Sequence, residues 1–288
     1  MFKGCYTAMV TPFAKDGSVD YDRFGELIEF QVEGGVDGIV PVGTTGESPT
    51  LDVREHHRVI EYAVKAAAGR IKVIAGTGGN STAEALELTA HAREAGADGT
   101  LQVTPYYNKP NQKGLIQHFS AVADVGLPVV LYNIPGRTSR EIALETVVEL
   151  AGHEHVVAIK EAAGDVDRVS RYVHACDIEV LSGDDPLTVP MMAVGAIGVI
   201  SVASNVIPRE IAAMVHAALD GKWDEARACH RKWYGLFNAL FVDTNPIPVK
   251  AALAMMGRVE EVYRLPLCSM DEAKKDALRE MLKEMGLI

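Results

Sequence analysis

Val156-Val157-Ala158-Ile159-Lys160-Glu161 sets four apolar residues, three of them β-branched, directly before a lysine. A short unbroken run of this kind reads as a strand buried on both faces, as in a parallel sheet. A lysine closing such a strand is partly desolvated, which disfavours its charged form and lowers its pKa. A neutral amine is a nucleophile, and with a carbonyl substrate it forms a Schiff base. The competing reading is a lysine that carries its head out to water on a flexible stem. The surrounding chain has to separate the two.

Outward from this run, short apolar stretches alternate with longer amphipathic ones. Strands are expected near Tyr6–Val10, Gly38–Val42, Ile71–Ala75, Gly99–Val103, Pro128–Tyr132, Val156–Lys160, Ile178–Leu181 and Gly198–Ser201. Helix starts lie between them. Asp20 leads into Phe24, Leu27, Ile28 and Val32, and Asp165 precedes Val166, Val169 and Tyr172. Asp52-Val53-Arg54-Glu55 and Ser81-Thr82-Ala83-Glu84 have capping-box spacing. Glycines at Gly34-Gly35, Gly69 and Gly96 mark helix ends. Eight β-then-α units in a row predict an α/β protein of the (β/α)8 TIM-barrel type. A doubly wound open sheet is disfavoured, because the first βα turn, Val10-Thr11-Pro12-Phe13, lacks the glycine-rich nucleotide fingerprint. Beyond Asp220-Gly221 no further strand is read. Trp223 to Phe241, Asn245 to Gly257 and Met270 to Met285 are all helical, so a barrel over residues 1–221 is expected to carry a C-terminal helical appendage over 222–288.

Composition narrows the function classes. The 288 residues carry a net charge of -11 and are 48% hydrophobic. An acidic surface argues against nucleic acid as a partner, since phosphates attract basic proteins, and against a polybasic membrane-surface role. No run approaches the ~18 apolar residues of a membrane span. Cys5, Cys176, Cys229 and Cys268 are far apart and form no C-x-x-C motif, so neither a disulfide framework nor a thiolate zinc site is suggested. The start lacks the apolar core of a signal peptide, and a cytoplasmic location is expected.

In a barrel the active site forms from the C-terminal ends of the strands and the loops after them. Lys160 is the only lysine placed there; Lys72 falls near the start of its strand, on the opposite face. That asymmetry favours the chemical reading of Lys160. Gly43-Thr44-Thr45-Gly46-Glu47-Ser48 follows strand 2, and its glycines free backbone N–H groups to approach a small carboxylate. It could equally be an ordinary tight turn. Tyr132 precedes a Pro-Gly turn at the barrel mouth, and Arg137 offers a planar, bidentate carboxylate binder. Taken alone, Tyr132 reads better as a core aromatic and Arg137 as a solvated loop arginine. The histidines do not cluster: His153-x-His155 precedes strand 6 and belongs to the opposite face, so no metal site is expected.

Taken together, Gly43 to Ser48 with Glu55, Tyr132-Asn133-Ile134-Pro135-x-Arg137-Thr138 and Ile159-Lys160-Glu161-Ala162 resemble the dihydrodipicolinate synthase / N-acetylneuraminate lyase family. Thr104-Pro105-Tyr106-Tyr107-Asn108, Leu181-Ser182-Gly183-Asp184-Asp185 and Asn245-Pro246-Ile247-Pro248-Val249-Lys250 extend the resemblance over nearly the whole chain. Within the family Arg137 and the paired threonines favour the synthases over the lyases. The resemblance implies a cofactor-free, Schiff-base-forming enzyme that condenses pyruvate with L-aspartate-4-semialdehyde in lysine and diaminopimelate synthesis.

By the same resemblance Lys160 attacks pyruvate, Thr44 and Thr45 hold its carboxylate, and Arg137 holds the semialdehyde. Tyr132 shuttles protons through Thr44 to Tyr107, which comes from a neighbouring subunit. Gly183 and Ile200 are implied as pocket-wall contacts. The family is usually a homotetramer, a dimer of dimers. Ser48, His56, Asn80, Glu84 and Tyr106 match a lysine-effector site at the tight dimer interface, with Glu84 pairing an amino group and His56 sensing the ligand. Pro49 and Val53 depart from that pattern, so lysine is expected to inhibit more weakly than in relatives with the full set. Two other readings remain: a pyruvate-dependent sugar-acid aldolase, against which Arg137 argues, and a barrel kept as a non-catalytic scaffold.

Overall fold

Eight short strands alternate with helices along residues 1–288, all of which the computed structural model describes. The strands are β1 (Gly4–Ala8), β2 (Gly38–Val40), β3 (Lys72–Gly76), β4 (Gly99–Val103), β5 (Val129–Asn133), β6 (Val156–Glu161), β7 (Glu179–Ser182) and β8 (Gly198–Ser201). They form a closed barrel in sequence order, with β8 returning to pair parallel with β1. The expected TIM barrel is therefore the observed one. β4 and β8 coincide with the predicted ranges, whereas β1 begins and ends two residues early. Burial outlasts the strand there: Met9 and Val10 are 1% and 0% exposed but lie past its end, with Met9 N–H making a last bond to Val40 O at 3.0 Å.

Between the strands run α1 (Tyr21–Gly34), α2 (Val53–Ala67), α3 (Thr82–Glu94), α4 (Gln112–Ala123), the single turn α5 (Pro135–Thr138), α6 (Leu144–Ala151) and α7 (Val166–Ala175). The short α8 (Thr188–Ala193) and α9 (Pro208–Leu219) complete the ring, and α10 (Trp223–Ala239), α11 (Ile247–Met255) and α12 (Glu272–Glu284) follow it. Asp52 and Glu55 close the predicted capping box, each side chain accepting from the other's backbone N–H. The second box does not form. Ser81 is the N-cap residue of α3 but its hydroxyl caps nothing, and Glu84 lies against Gly79 instead of reaching back. No helix is long and apolar enough to cross a membrane.

Two apolar clusters follow from the period of two along each strand. One lies inside the barrel and includes Tyr6, Val40, Ile74, Leu101, Val130, Tyr132, Ala158, Leu181 and Ile200. A larger one fills the space between strands and helices. On β6, Ala158 faces the interior, so Lys160 does too, while Ile159 and Glu161 face the helices. Glu161 accordingly accepts from Tyr172 on α7 at 2.8 Å and from Asn133 at 3.0 and 3.1 Å. The barrel closes where Gly4 of β1 meets Gly198 of β8. A Cβ on Gly198 would overlap the Gly4 backbone, so the seam admits no side chain there.

Candidate active site

β5 and β6 bring Tyr132 and Lys160 side by side in register. Lys160 is 5% exposed, and its Nζ stands 4.2 Å from the centre of the Tyr132 ring. The amine makes no hydrogen bond and no ion pair with the chain. Burial pulls its pKa down to about 7; Asp185 pulls the other way, Arg137 reinforces the fall and Asp184 opposes it. The lysine stem fits because residue 183 is glycine: a Cβ there would sit 2.8 Å from Lys160 Cε and 2.8 Å from Ala162 Cβ. Tyr132 is also buried, and burial pushes its pKa up to about 12 against the pull of Arg137, so the phenol keeps its proton at neutral pH.

The loop after β2 holds the two threonines. Gly46 N–H and Ser48 N–H donate to Gly43 O, and Glu47 N–H donates to Thr44 O, folding the loop back on itself. The amides of Thr44 and Thr45 take no partner within the chain, which leaves two adjacent N–H groups free to bind an anion. Val42 and Glu47, at either end of the loop, have φ of 50° and 56°. Left-handed backbone costs an L-residue on the order of 1–2 kcal/mol and is an outlier for β-branched valine. Asn245 Nδ2 donates to Thr45 Oγ1 at 3.0 Å, and Arg137 Nη2 donates to Asn245 O at 3.1 Å.

A cavity of about 230 Å3 opens above these strand ends. Thr44, Tyr132 and Arg137 line it, as do Ser48 and Tyr106 of the suggested effector set. Lys160, Thr45, Gly183 and Ile200 are not on its wall. Ile200 is fully buried in the barrel interior, and Lys160 stands against the Tyr132 ring. Tyr107 is not in the cavity either: it is 91% exposed, with φ of 68°. No hydrogen bond joins Tyr132, Thr44 and Tyr107 within one chain, so the predicted relay is incomplete in a single copy.

The model of the dihydrodipicolinate synthetase family matches residues 1–285. The chain belongs to that family. A 4-hydroxy-tetrahydrodipicolinate synthase of Aquifex aeolicus is 55% identical over 100% of this chain and 99% of its own. Among solved structures, the chloride-inhibited dihydrodipicolinate synthase of Acinetobacter baumannii, complexed with pyruvate, superposes with a TM-score of 0.98 at 44% identity, covering 100% of both chains. DHDPS from Cyanidioschyzon merolae with lysine bound gives 0.96 at 43% identity, covering 100% of this chain and 99% of the other.

Against that family background the suggested effector residues divide. Ser48 and Tyr106 share the cavity, and the charge of Glu84 adds to burial in raising the Tyr106 pKa. Asn80 lends its carbonyl to Asn108 Nδ2 at 2.8 Å. His56 offers a neutral imidazole. It is 4% exposed, its Nε2 is 2.9 Å from Gly76 O, and burial lowers its pKa to about 4, so it stays neutral near pH 7. Residues the sequence did not single out are Asn245 and Lys250, of which the latter pairs with Glu47. Both lie in the quoted Asn245 to Lys250 motif, which is the signal that was there to be followed.

Proposed function

We propose that this chain condenses pyruvate with L-aspartate-4-semialdehyde to give 4-hydroxy-tetrahydrodipicolinate. The observation that carries the reading is a buried lysine with no partner, its pKa near 7, beside a protonated tyrosine at the barrel mouth. At that pKa about half the lysine is free amine at neutral pH. Lys160 attacks pyruvate C2 and the carbonyl oxygen leaves as water, giving an imine. Loss of a methyl proton converts it to an enamine, whose carbon adds to the semialdehyde carbonyl. The substrate's own amine then attacks the imine carbon, closes the ring and expels Lys160 unchanged.

The unpaired amides of Thr44 and Thr45 suit the pyruvate carboxylate, and Arg137 suits that of the semialdehyde. Tyr132, kept protonated, donates to the departing oxygen, and Tyr107 of a second copy completes its route to solvent. Gly183 and Ile200 belong to the walls around the lysine. A dimer is therefore needed for turnover, with two dimers forming a tetramer. Lysine is read as a weak inhibitor that binds near Ser48 and Tyr106, its grip reduced by Pro49 and Val53.

A coupled assay with both substrates, run on wild type and Lys160→Ala, tests the mechanism; full activity in the variant would sink it. Borohydride with pyruvate is expected to leave a covalent adduct on Lys160. Sedimentation of the active species that gives a fully active monomer removes the role of Tyr107. Initial rates unchanged at millimolar lysine remove the effector.

A further inference from the structure

Glu47 and Lys250 make an ion pair that the reaction scheme does not use. Lys250 Nζ donates to Glu47 Oε1 at 2.6 Å, and both side chains are 0% exposed. Glu47 Oε2 accepts from Arg264 N–H at 3.2 Å, and the Lys250 ammonium lies 4.2 Å from the centre of the Phe13 ring. The pair thus joins α11, outside the barrel, to a residue two places beyond Thr45. Two neighbouring ties run the same way: Asn245 Nδ2 to Thr45 Oγ1, and Arg264 Nη1 to Thr50 O at 2.7 Å.

A buried ion pair is a poor source of stability, because stripping water from both charges cancels most of their attraction. Its position suggests a different use. The Val42–Glu47 loop is left-handed at both ends, a state that persists only where the surroundings over-determine it. Glu47 is the end held by two bonds from the C-terminal region, and between the ends lie the unpaired amides of Thr44 and Thr45.

We propose that the Glu47–Lys250 pair is a positioning element that fixes the Val42–Glu47 loop so that the amides of Thr44 and Thr45 converge on the keto-acid carboxylate. Neither residue touches substrate. The inference rests on the reading of that loop as the pyruvate carboxylate site. It makes α11 a determinant of affinity for the first substrate and not for the second.

The test uses the full chain and two variants. Glu47→Leu with Lys250→Met removes both charges together and leaves neither alone in the interior; Glu47→Gln keeps the side-chain shape and the bond from Arg264 N–H, and lowers the denaturation midpoint because Lys250 loses its counter-ion. Each is titrated with pyruvate in borohydride trapping at Lys160, unfolded in denaturant, and assayed for the KM of the semialdehyde. The double variant is expected to need about tenfold more pyruvate for half-maximal trapping, the scale of a misdirected hydrogen bond to a charged group. Full trapping at saturation, a near-native denaturation midpoint and an unchanged semialdehyde KM go with it, and the pyruvate half-saturation of Glu47→Gln falls between. A folded double variant with wild-type pyruvate half-saturation overturns the proposal, as does loss of the fold in both variants, which would make the pair purely structural. Absence of trapping in the wild type would fall on the pyruvate reading itself.

Discussion

Lys160 and Lys250 are both buried, one inside the mouth of the barrel and one outside the barrel in α11, and they keep different company. Lys250 has a carboxylate at 2.6 Å, and burial still lowers its pKa against the pull of Glu47. Lys160 has only the face of Tyr132 and, further off, the opposed charges of Asp185, Arg137 and Asp184. Burial by itself therefore does not mark a reactive amine. The missing partner does, since a lysine without a counter-ion in a dry site gives up its proton near neutrality.

The two lysines differ most in what their loss does to activity. Lys160→Ala is expected to lower turnover by on the order of 10^4-fold or more, as loss of a covalent nucleophile does, in the coupled assay. Lys250→Met alone is expected to act on stability, costing about 3–5 kcal/mol in denaturant unfolding because Glu47 is left buried and unpaired. An equal effect on stability from Lys160→Met would erase the distinction between the two sites.

Gly183→Ala sharpens it from the side of geometry. The added methyl meets Lys160 Cε and Ala162 Cβ, so the amine must move, and a displacement near 1 Å costs about 10^2-fold in kcat/KM for pyruvate. A smaller expectation concerns pH. Below about 7 the Lys160 amine is protonated, so the rate of imine trapping should fall about tenfold per unit there and level off above it. The same shift has a linked effect on folding. The folded pKa of Lys160 lies below the unfolded value of ~10.4, so the unfolded chain binds the extra proton between the two. The cost of burying Lys160 is full below about 7 and fades as pH rises toward ~10.4. Lys160→Met should therefore raise the denaturation midpoint at pH 6 and leave it unchanged near pH 11.

Short unbroken apolar runs alternating with longer amphipathic stretches made the barrel legible in the sequence, and with it the place of Lys160 at the C-terminal end of a strand. Strand ends were less legible, because Met9 and Val10 stay buried past the end of β1, so hydrophobicity overran the strand. The Ser81 box failed since matching residue types do not ensure that side chains turn toward the backbone. Lys250 was invisible as a pair member. Its partner is 203 positions away, and within the apolar run Ile247 to Leu253 it carries no periodic mark of its own. Tyr107 shows the opposite limit: its motif is plain, yet in one copy its side chain stands in solvent.

The seam between Gly4 and Gly198 sets the timetable of folding. The first strand of the barrel pairs on one side with β2, which follows closely, and on the other with β8, near the end of the barrel sequence. During synthesis at ~5–20 residues per second, that second edge of β1 waits on the order of tens of seconds for its mate. An open strand edge is a template for pairing with other chains, and contacts this remote in sequence form slowly. Aggregation during refolding should thus depend on how long β1 stays open, which makes the last barrel strand to be synthesised the one that ends the chain's exposure.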